Sequence, residues 1–323
     1  MTVRLAVSAG DPAGIGSEVI LGALQEEVPG AYILVFGARA VFERLSESLG
    51  LKITFEIVDV AADLAVDSVS AGVPSAVGAE IQKRAFEQAL DAVDRGACDA
   101  IVTAPWTKSL MPLIGIGPTG HTELLAERYG APDHVMMLAG PRLRVSLVTT
   151  HIPLKSVSDA ISESRIVEVT RTTVHDLKRF FGKENPKIAV LGLNPHAGES
   201  GHMGDEEIRV IGPAILRLKV EFAGQAQIEG PFPADTLFSK FAGDRTPFDA
   251  VICMYHDQGL IPLKAIHFGE AINITLGLPI LRTSVDHGSA YDIAWQGQAD
   301  AGSMRYALES AVECARWRSS YAR

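Results

Sequence analysis

Three histidines each follow an apolar run that reads as a buried strand: His151 after "LRVSLVTT", His196 after "KIAVLGLN" and His256 after "AVICMY". Buried polar groups cost free energy unless each finds a partner, so His256, Asp257 and Gln258 at a strand end pose a question. They mark either a site or a loop whose polar side chains face water or cap a helix. The three imidazoles have no local ligand spacing such as HxxxH. A shared metal centre therefore requires the fold to gather them, within one chain or across a subunit interface. Three imidazoles with open positions suit Zn²⁺ or another divalent ion acting as a Lewis acid. Three separate loop histidines is the competing reading. His134, His175, His202 and His267 have no comparable setting.

Other stretches suggest anion chemistry. "GPTGHTELLAERYG" places His121 and Thr122 at a helix start, where free N–H groups and the helix dipole favour an anion and the Thr hydroxyl adds a donor. Simple N-capping by Thr119 or Thr122 explains the same pattern without a ligand. Lys264, Asn273 and Arg282 follow the His256 strand and could cluster on a phosphate or carboxylate; singly, each reads as a surface charge or turn residue. "AGDPAGIGSEV" invites a dinucleotide fingerprint, but Val19 stands where the third glycine belongs and no acidic residue clearly ends the next strand. Gly14 and Gly16 are better read as serving a tight turn into a helix.

The elements that must position these residues alternate. Strand candidates "VRLAVSA", "YILVFG", "ITFEIVDV", "DAIVTAP", "LRVSLVTTH", "KIAVLGLN", "AVICMY" and "AINITLG" are separated by amphipathic segments. In "GAEIQKRAFEQALDAVDRG", Ile81, Ala85, Ala89, Ala92 and Val93 recur at helical spacing and Gly96 is placed to end the helix. Such alternation predicts α/β layers with mostly parallel strands, whose chemistry gathers at the carboxyl ends. The chain has 323 residues, 47% hydrophobic and 21% charged, which suits a two-domain globular enzyme. A net charge of −10 argues against a nucleic-acid partner. Cys98, Cys253 and Cys314 are scattered and form no CxxC pair, so buried thiols in a reducing compartment are expected. No apolar run approaches the roughly 20 residues needed to span a bilayer, and the N-terminus is too short in apolar residues for a signal peptide. A soluble, cytoplasmic protein is expected.

Taken together, "GDPAGIGSEV", "GHTELLAE", "LNPHAGESGHMGDEE", "GPFPADTLF", "MYHDQGLIPLK" and "NITLGLPILRTSVDHGSAYDIAWQG" resemble, in matching order, the 4-hydroxythreonine-4-phosphate dehydrogenases of vitamin B6 synthesis. The likeness runs from about residue 5 to residue 304. It implies two α/β/α domains like those of isocitrate and isopropylmalate dehydrogenases, with residues 1–120 and 265–323 on the cofactor side. Residues 121–264 would carry the metal ligands and the interface of a homodimer with a shared active site. The resemblance puts His151, His196 and His256 on one divalent ion per subunit (Zn, or Mg, Mn or Co). It puts His121, Thr122, Lys264, Asn273 and Arg282 on a phosphorylated hydroxy-acid substrate. NAD would lie along His287, Gly288, Ser289 and Ala290, extending toward Asp292. His121, Asp235 and Asp257 are the catalytic candidates, the two aspartates for orienting a ligand histidine or for proton transfer. The implied reaction oxidises the substrate hydroxyl to a β-keto acid, which then loses CO₂.

Departures from the family pattern bear on substrate and cofactor. Trp106 and Thr107 replace Ile and Asn of Pro-Ile-Asn-Lys, Val285 replaces a proline before Asp-His-Gly, and Trp295 and Gln296 replace Gly-Lys of "DIAGKG". Gln296 offers no cation to a 2′-phosphate, so NAD is expected over NADP. Trp295 would either stack on the adenine or obstruct it. Alternative substrates are erythronate or threonate 4-phosphate or a dihydrodiol carboxylate. A phosphate acyltransferase would need neither the histidines nor NAD, and a solute-binding protein would need a secretion signal.

Overall fold

The computed structural model describes residues 2–321 apart from Ala242, Asp244 and Phe268. The chain divides into two units: residues up to Gly130 with Leu278–Arg316, and Ala131–Gly277 with the residues from Trp317 on. These crossovers fall beyond the expected 120/121 and 264/265. The reason is local: the helix that starts at His121 is held in the first unit through Arg128, which bonds Asp91 and Asp94, and strand 272–276 pairs with 135–139 in the second.

The first unit begins with β1 (Val3–Ser8), α1 (Gly16–Ala23), β2 (Ala31–Gly37), α2 (Arg39–Leu49), β3 (Glu56–Asp59), α3 (Ala76–Asp94), β4 (Ala100–Thr103) and α4 (His121–Tyr129). The second holds β5 (Val135–Ala139), β6 (Arg144–Leu147), α5 (Val157–Ala160), α6 (Glu163–Phe181), β7 (Lys187–Leu191), α7 (Gly212–Glu221), β8 (Gln227–Phe232), α8 (Ala234–Phe238), β9 (Ala250–Cys253), α9 (His256–Ile266) and β10 (Ile272–Leu276). The chain closes with β11 (Arg282–Val285) and α10 (Gly302–Tyr321).

In the first unit the strands pair in parallel in the order β3-β2-β1-β4-β11. The chain moves outward from β1 to β3 and then returns to the other side of β1, so the order reverses between β1 and β4. A crevice opens at the carboxyl ends of strands at such a switch point. In the second unit β10, β5 and β6 pair antiparallel, then β6, β9, β7 and β8 run parallel. The three strands that precede His151, His256 and His196 are thus consecutive parallel neighbours, β6-β9-β7. Their carboxyl ends share one edge of the sheet.

Local chemistry explains the boundaries. In α3, Ser75 Oγ accepts the Gly78 N–H at 3.0 Å, Ile81, Ala85, Ala89, Ala92 and Val93 are buried, and Gly96 turns the chain at φ 69°. Cys98, Cys253 and Cys314 are buried and form no disulfide, as their spacing predicts. Three strands carry weak signals. β8 contains Gly230-Pro231, tolerated because it is the last strand of its sheet. β11 is only Arg-Thr-Ser-Val, and β5 is the methionine-rich "VMMLA". Among the described residues no helix is long and apolar enough to cross a membrane.

The turn after β1 depends on glycine for space as well as for conformation. Gly10 has φ +69°, and a Cβ there would lie 2.1 Å from the Pro105 carbonyl oxygen; at Gly50, φ +67°, a Cβ would meet nothing within 4 Å. Gly50→Ala should cost about 1–2 kcal/mol, the left-handed backbone alone. Gly10→Ala should cost a further ~1–3 kcal/mol from the clash. Urea unfolding of both proteins checks the ranking, and equal losses would contradict it.

Candidate active site

The first unit gathers an anion-type cluster. Arg282, 3% exposed, donates from Nε and Nη2 to Thr103 Oγ1 at 3.2 and 2.9 Å, and its Nη2 lies 3.3 Å from His121 Nδ1. Because a guanidinium only donates, His121 Nδ1 accepts and the imidazole proton sits on Nε2. That Nε2 is buried and has no partner among the described residues. Burial holds the His121 pKa well below its ordinary value, with Arg282 and Lys108 adding to the effect. Burial likewise draws Arg282 down to about 10, partly offset by Glu123, so it stays cationic at neutral pH. Phe86 and Trp106 pack on the His121 ring at 4.6 and 4.8 Å, and the Trp106 indole is fixed by donating to Thr119 O. Glu123 reaches back to the Gly120 N–H at 3.1 Å and pairs with Lys108, which sets the first turn of α4. Thr122 is half-buried in that turn.

The switch-point crevice of the same unit joins two loops. Asp11 Oδ1 accepts the Ala13 N–H at 3.0 Å, and its Oδ2 takes the hydroxyls of Thr107 at 3.3 Å and of Tyr291. Thr107 Oγ1 also lies 2.7 Å from Ser289 Oγ, and Ile15 N–H donates to Ser289 O at 3.0 Å. A Cβ on Gly14 would lie 2.8 Å from that same Ser289 O. The glycine turn therefore supports residues 287–292 from below. A Cβ on Gly288 would meet nothing within 4 Å, and His287 Nε2 is buried without a partner among the described residues. Ala290 adopts φ +40° and Asp292 is exposed. Trp295, at φ +64°, is held in place by protein contacts. Its indole donates to Pro12 O at 3.1 Å, its backbone N–H donates to Glu18 and the Arg44 guanidinium lies 5.0 Å above its ring. Gln296 is exposed and turns back to Asp292 O.

The second unit carries the histidine strand ends. His151 and His256 have ring centroids 5.5 Å apart and line a cavity of about 280 Å³ with Thr150, Ile152, Tyr255 and Asp257. His256 Nδ1 and Asp257 Oδ1 are 2.8 Å apart, as are His196 Nδ1 and Glu199 Oε1. A carboxylate on Nδ1 leaves Nε2 with the lone pair, the form in which imidazole ligates metal. The donor set thus fits a divalent ion. Among the described residues no three His, Cys, Asp or Glu side chains gather into one metal-binding group, so His196 does not complete a site with His151 and His256 within the chain.

Gln258, by contrast, serves the fold. It is buried, accepts from Met254 N–H and donates to Gly192 O, both at 2.7 Å, tying the β9 end to the β7 end. Asp235 is exposed on α8, where its charge helps raise the pKa of His196 behind the larger effect of Glu199. Lys264 is exposed in the last turn of α9, and Asn273 on β10 has a buried Oδ1 with no partner among the described residues. Six buried side-chain nitrogen or oxygen atoms among the described residues lack partners, and three belong to His121, Asn273 and His287, each chosen from the sequence. Thr103, Trp106 as a packing wall, Tyr291 and Glu199 were not. Of these, only the Glu199 spacing, three residues after His196, left a signal.

The depressed His121 pKa makes stability depend on pH. Above the ordinary value of 6.5 the group is neutral folded or unfolded; below it, the unfolded chain binds a proton that the folded one refuses. Stability should therefore fall as the pH drops through that region, by at most about 1.4 kcal/mol per pH unit from this group. Urea melts at pH 7.5 and 5.5 should show a loss about 1 kcal/mol larger for the wild type than for His121→Gln. Parallel losses would contradict the neutral assignment.

A family model for the pyridoxal phosphate biosynthetic protein PdxA matches residues 30–311. A 4-hydroxythreonine-4-phosphate dehydrogenase of Neisseria meningitidis is 45% identical, with 96% of this chain and 97% of the relative covered. The crystal structure of a 4-hydroxythreonine-4-phosphate dehydrogenase from Klebsiella pneumoniae superposes with a TM-score of 0.87 at 35% identity, covering 98% of each chain. A terephthalate 1,2-cis-dihydrodiol dehydrogenase from Burkholderia xenovorans gives 0.67 at 27% identity, over 97% of this chain and 98% of the other. With a family model matched over residues 30–311 and a relative 45% identical over nearly its whole length, the chain belongs to the PdxA family of pyridoxal phosphate biosynthetic proteins.

Proposed function

We propose that the protein is a cytoplasmic, homodimeric dehydrogenase that oxidises 4-hydroxythreonine 4-phosphate, using NAD and one divalent ion per subunit, in pyridoxal phosphate synthesis. The observation that carries this reading is the buried Arg282 guanidinium beside a neutral His121 whose Nε2–H has no partner among the described residues. Fixed positive charge next to an unused donor is what an anionic substrate oxygen needs. A phosphorylated substrate is favoured over a dihydrodiol by 45% against 27% identity to the respective relatives.

In this reading Arg282, the His121 Nε2–H and Thr122 bind one anionic end of the substrate, and Lys264 and Asn273 are further substrate-binding residues. Asp257 holds His256, and Glu199 holds His196, with Nε2 available as a ligand. Asp11, through Thr107, Ser289 and Tyr291, keeps residues 287–292 in the shape that leaves Gly288 open to the cofactor. When bound, NAD⁺ supplies the hydride acceptor and the divalent ion supplies a Lewis acid for charge developing on the substrate oxygen. Loss of hydride and of the hydroxyl proton leaves a β-keto acid, which releases CO₂. Asp235 and Asp257 are the two carboxylates that could accept that proton. Because His151 and His256 pair within the chain and His196 does not join them, we assign His196 to the site of the second copy.

NADH formation from 4-hydroxythreonine 4-phosphate should require a divalent ion and stop with a chelator. His196→Ala and His256→Ala proteins should each be inactive. Equal amounts unfolded and refolded together should regain about one quarter of wild-type activity, because half the dimers are mixed and each holds one intact site. Chelator-resistant activity would contradict the metal reading, and no recovery in the mixture would contradict the shared site.

A further inference from the structure

His196 sits in an unusual backbone. Five successive residues have left-handed conformations: His196 (φ 53°), Ala197 (52°), Gly198 (78°), Glu199 (42°) and Ser200 (59°). Four of them carry a Cβ, and each such residue costs roughly 1–2 kcal/mol in this region. A turn of this kind persists only where its surroundings over-determine it. The surroundings here centre on one carboxylate. Glu207, 6% exposed, accepts the backbone N–H groups of Leu193 and Asn194 on Oε1, both at 2.8 Å, and Asn194 Nδ2 on Oε2 at 2.9 Å. Those donors belong to the two residues that lead into the turn. From the other side, a Cβ on Gly198 would lie 2.6 Å from Glu207 Oε2 and 2.8 Å from the Gly204 carbonyl oxygen. Glu207 also opens a π-helical turn, Glu207–Ile211, a widened backbone often found beside functional sites.

We infer that Glu207 is a positioning residue whose carboxylate fixes the left-handed turn that presents His196 to the metal. The inference rests on the metal reading proposed above. A right-handed turn over the same residues would send the His196 Cα–Cβ bond in a different direction, so the imidazole can be delivered only while the turn is held. Three converging donors hold the carboxylate, and only an acceptor at both oxygens satisfies them.

The test is a cobalt(II) titration of the metal-free, full-length protein, read by visible absorption, for wild type, His196→Ala, Glu207→Gln and Gly198→Ala. Glu207→Gln turns an amide donor toward existing donors, and Gly198→Ala pushes the turn off the carboxylate. Both should weaken cobalt binding about 10–100-fold and give the ligand-field spectrum of His196→Ala, one nitrogen short. Wild-type affinity and spectrum in a folded Glu207→Gln protein would overturn the assignment, even if its melting temperature fell, since that is a structural role alone. If Glu207→Gln does not fold, the Gly198→Ala titration decides by the same criterion. If wild type and His196→Ala bind cobalt identically, the metal reading itself fails and takes this inference with it.

Discussion

A guanidinium sealed inside a protein is the constraint around which the first unit is arranged. Arg282 starts β11, is 3% exposed and remains charged although burial lowers its pKa to about 10. Removing a cation from water is expensive unless hydrogen bonds and opposite charge replace the water. Thr103, at the end of the neighbouring strand, provides part of that replacement. The neutral His121 ring is compatible with the cation only because it stays unprotonated, and Phe86 and Trp106 enforce this by keeping water away. The Glu123–Lys108 pair then fixes the start of α4, which carries His121. A cation, a donor and a helix start are thus preorganised before any substrate arrives, the condition under which electrostatic stabilisation is most effective.

The same logic of carboxylates that fix other groups recurs elsewhere. Asp11 links the glycine turn to residues 289 and 291, Asp257 and Glu199 each set one imidazole, and Glu207 organises the chain before His196. None of these carboxylates needs to touch a reacting atom to matter. Each converts a flexible loop at a strand end into one geometry, which is what catalysis by positioning demands.

The residues proposed to touch ligand stand out in the sequence because their types are chemically distinctive and fall at strand ends. The α/β alternation and the α3 stripe were legible from periodicity. Three strands were not: β8 carries Gly-Pro, β11 is four residues long and polar at three of them, and β5 looks like any apolar run. Opposite Gly14, the sequence indicated a tight turn but not that the turn supports Ser289, a contact between residues far apart in the chain. Trp295 was left between stacking and obstruction; its bonds to Pro12 and its packing under Arg44 depend on three separate segments. Glu207 gave no signal because one buried glutamate in a helix-like stretch resembles any surface glutamate.

The most direct test of the account is steady-state NADH formation by the wild type and Arg282→Ala with 4-hydroxythreonine 4-phosphate and with its unphosphorylated counterpart. Loss of a buried charged hydrogen-bond donor should cost about 2–5 kcal/mol in binding the phosphorylated compound, seen mainly as a raised KM. The unphosphorylated compound should be far less affected. Equal weakening of both would contradict the claim that the buried guanidinium holds the anionic end of the substrate.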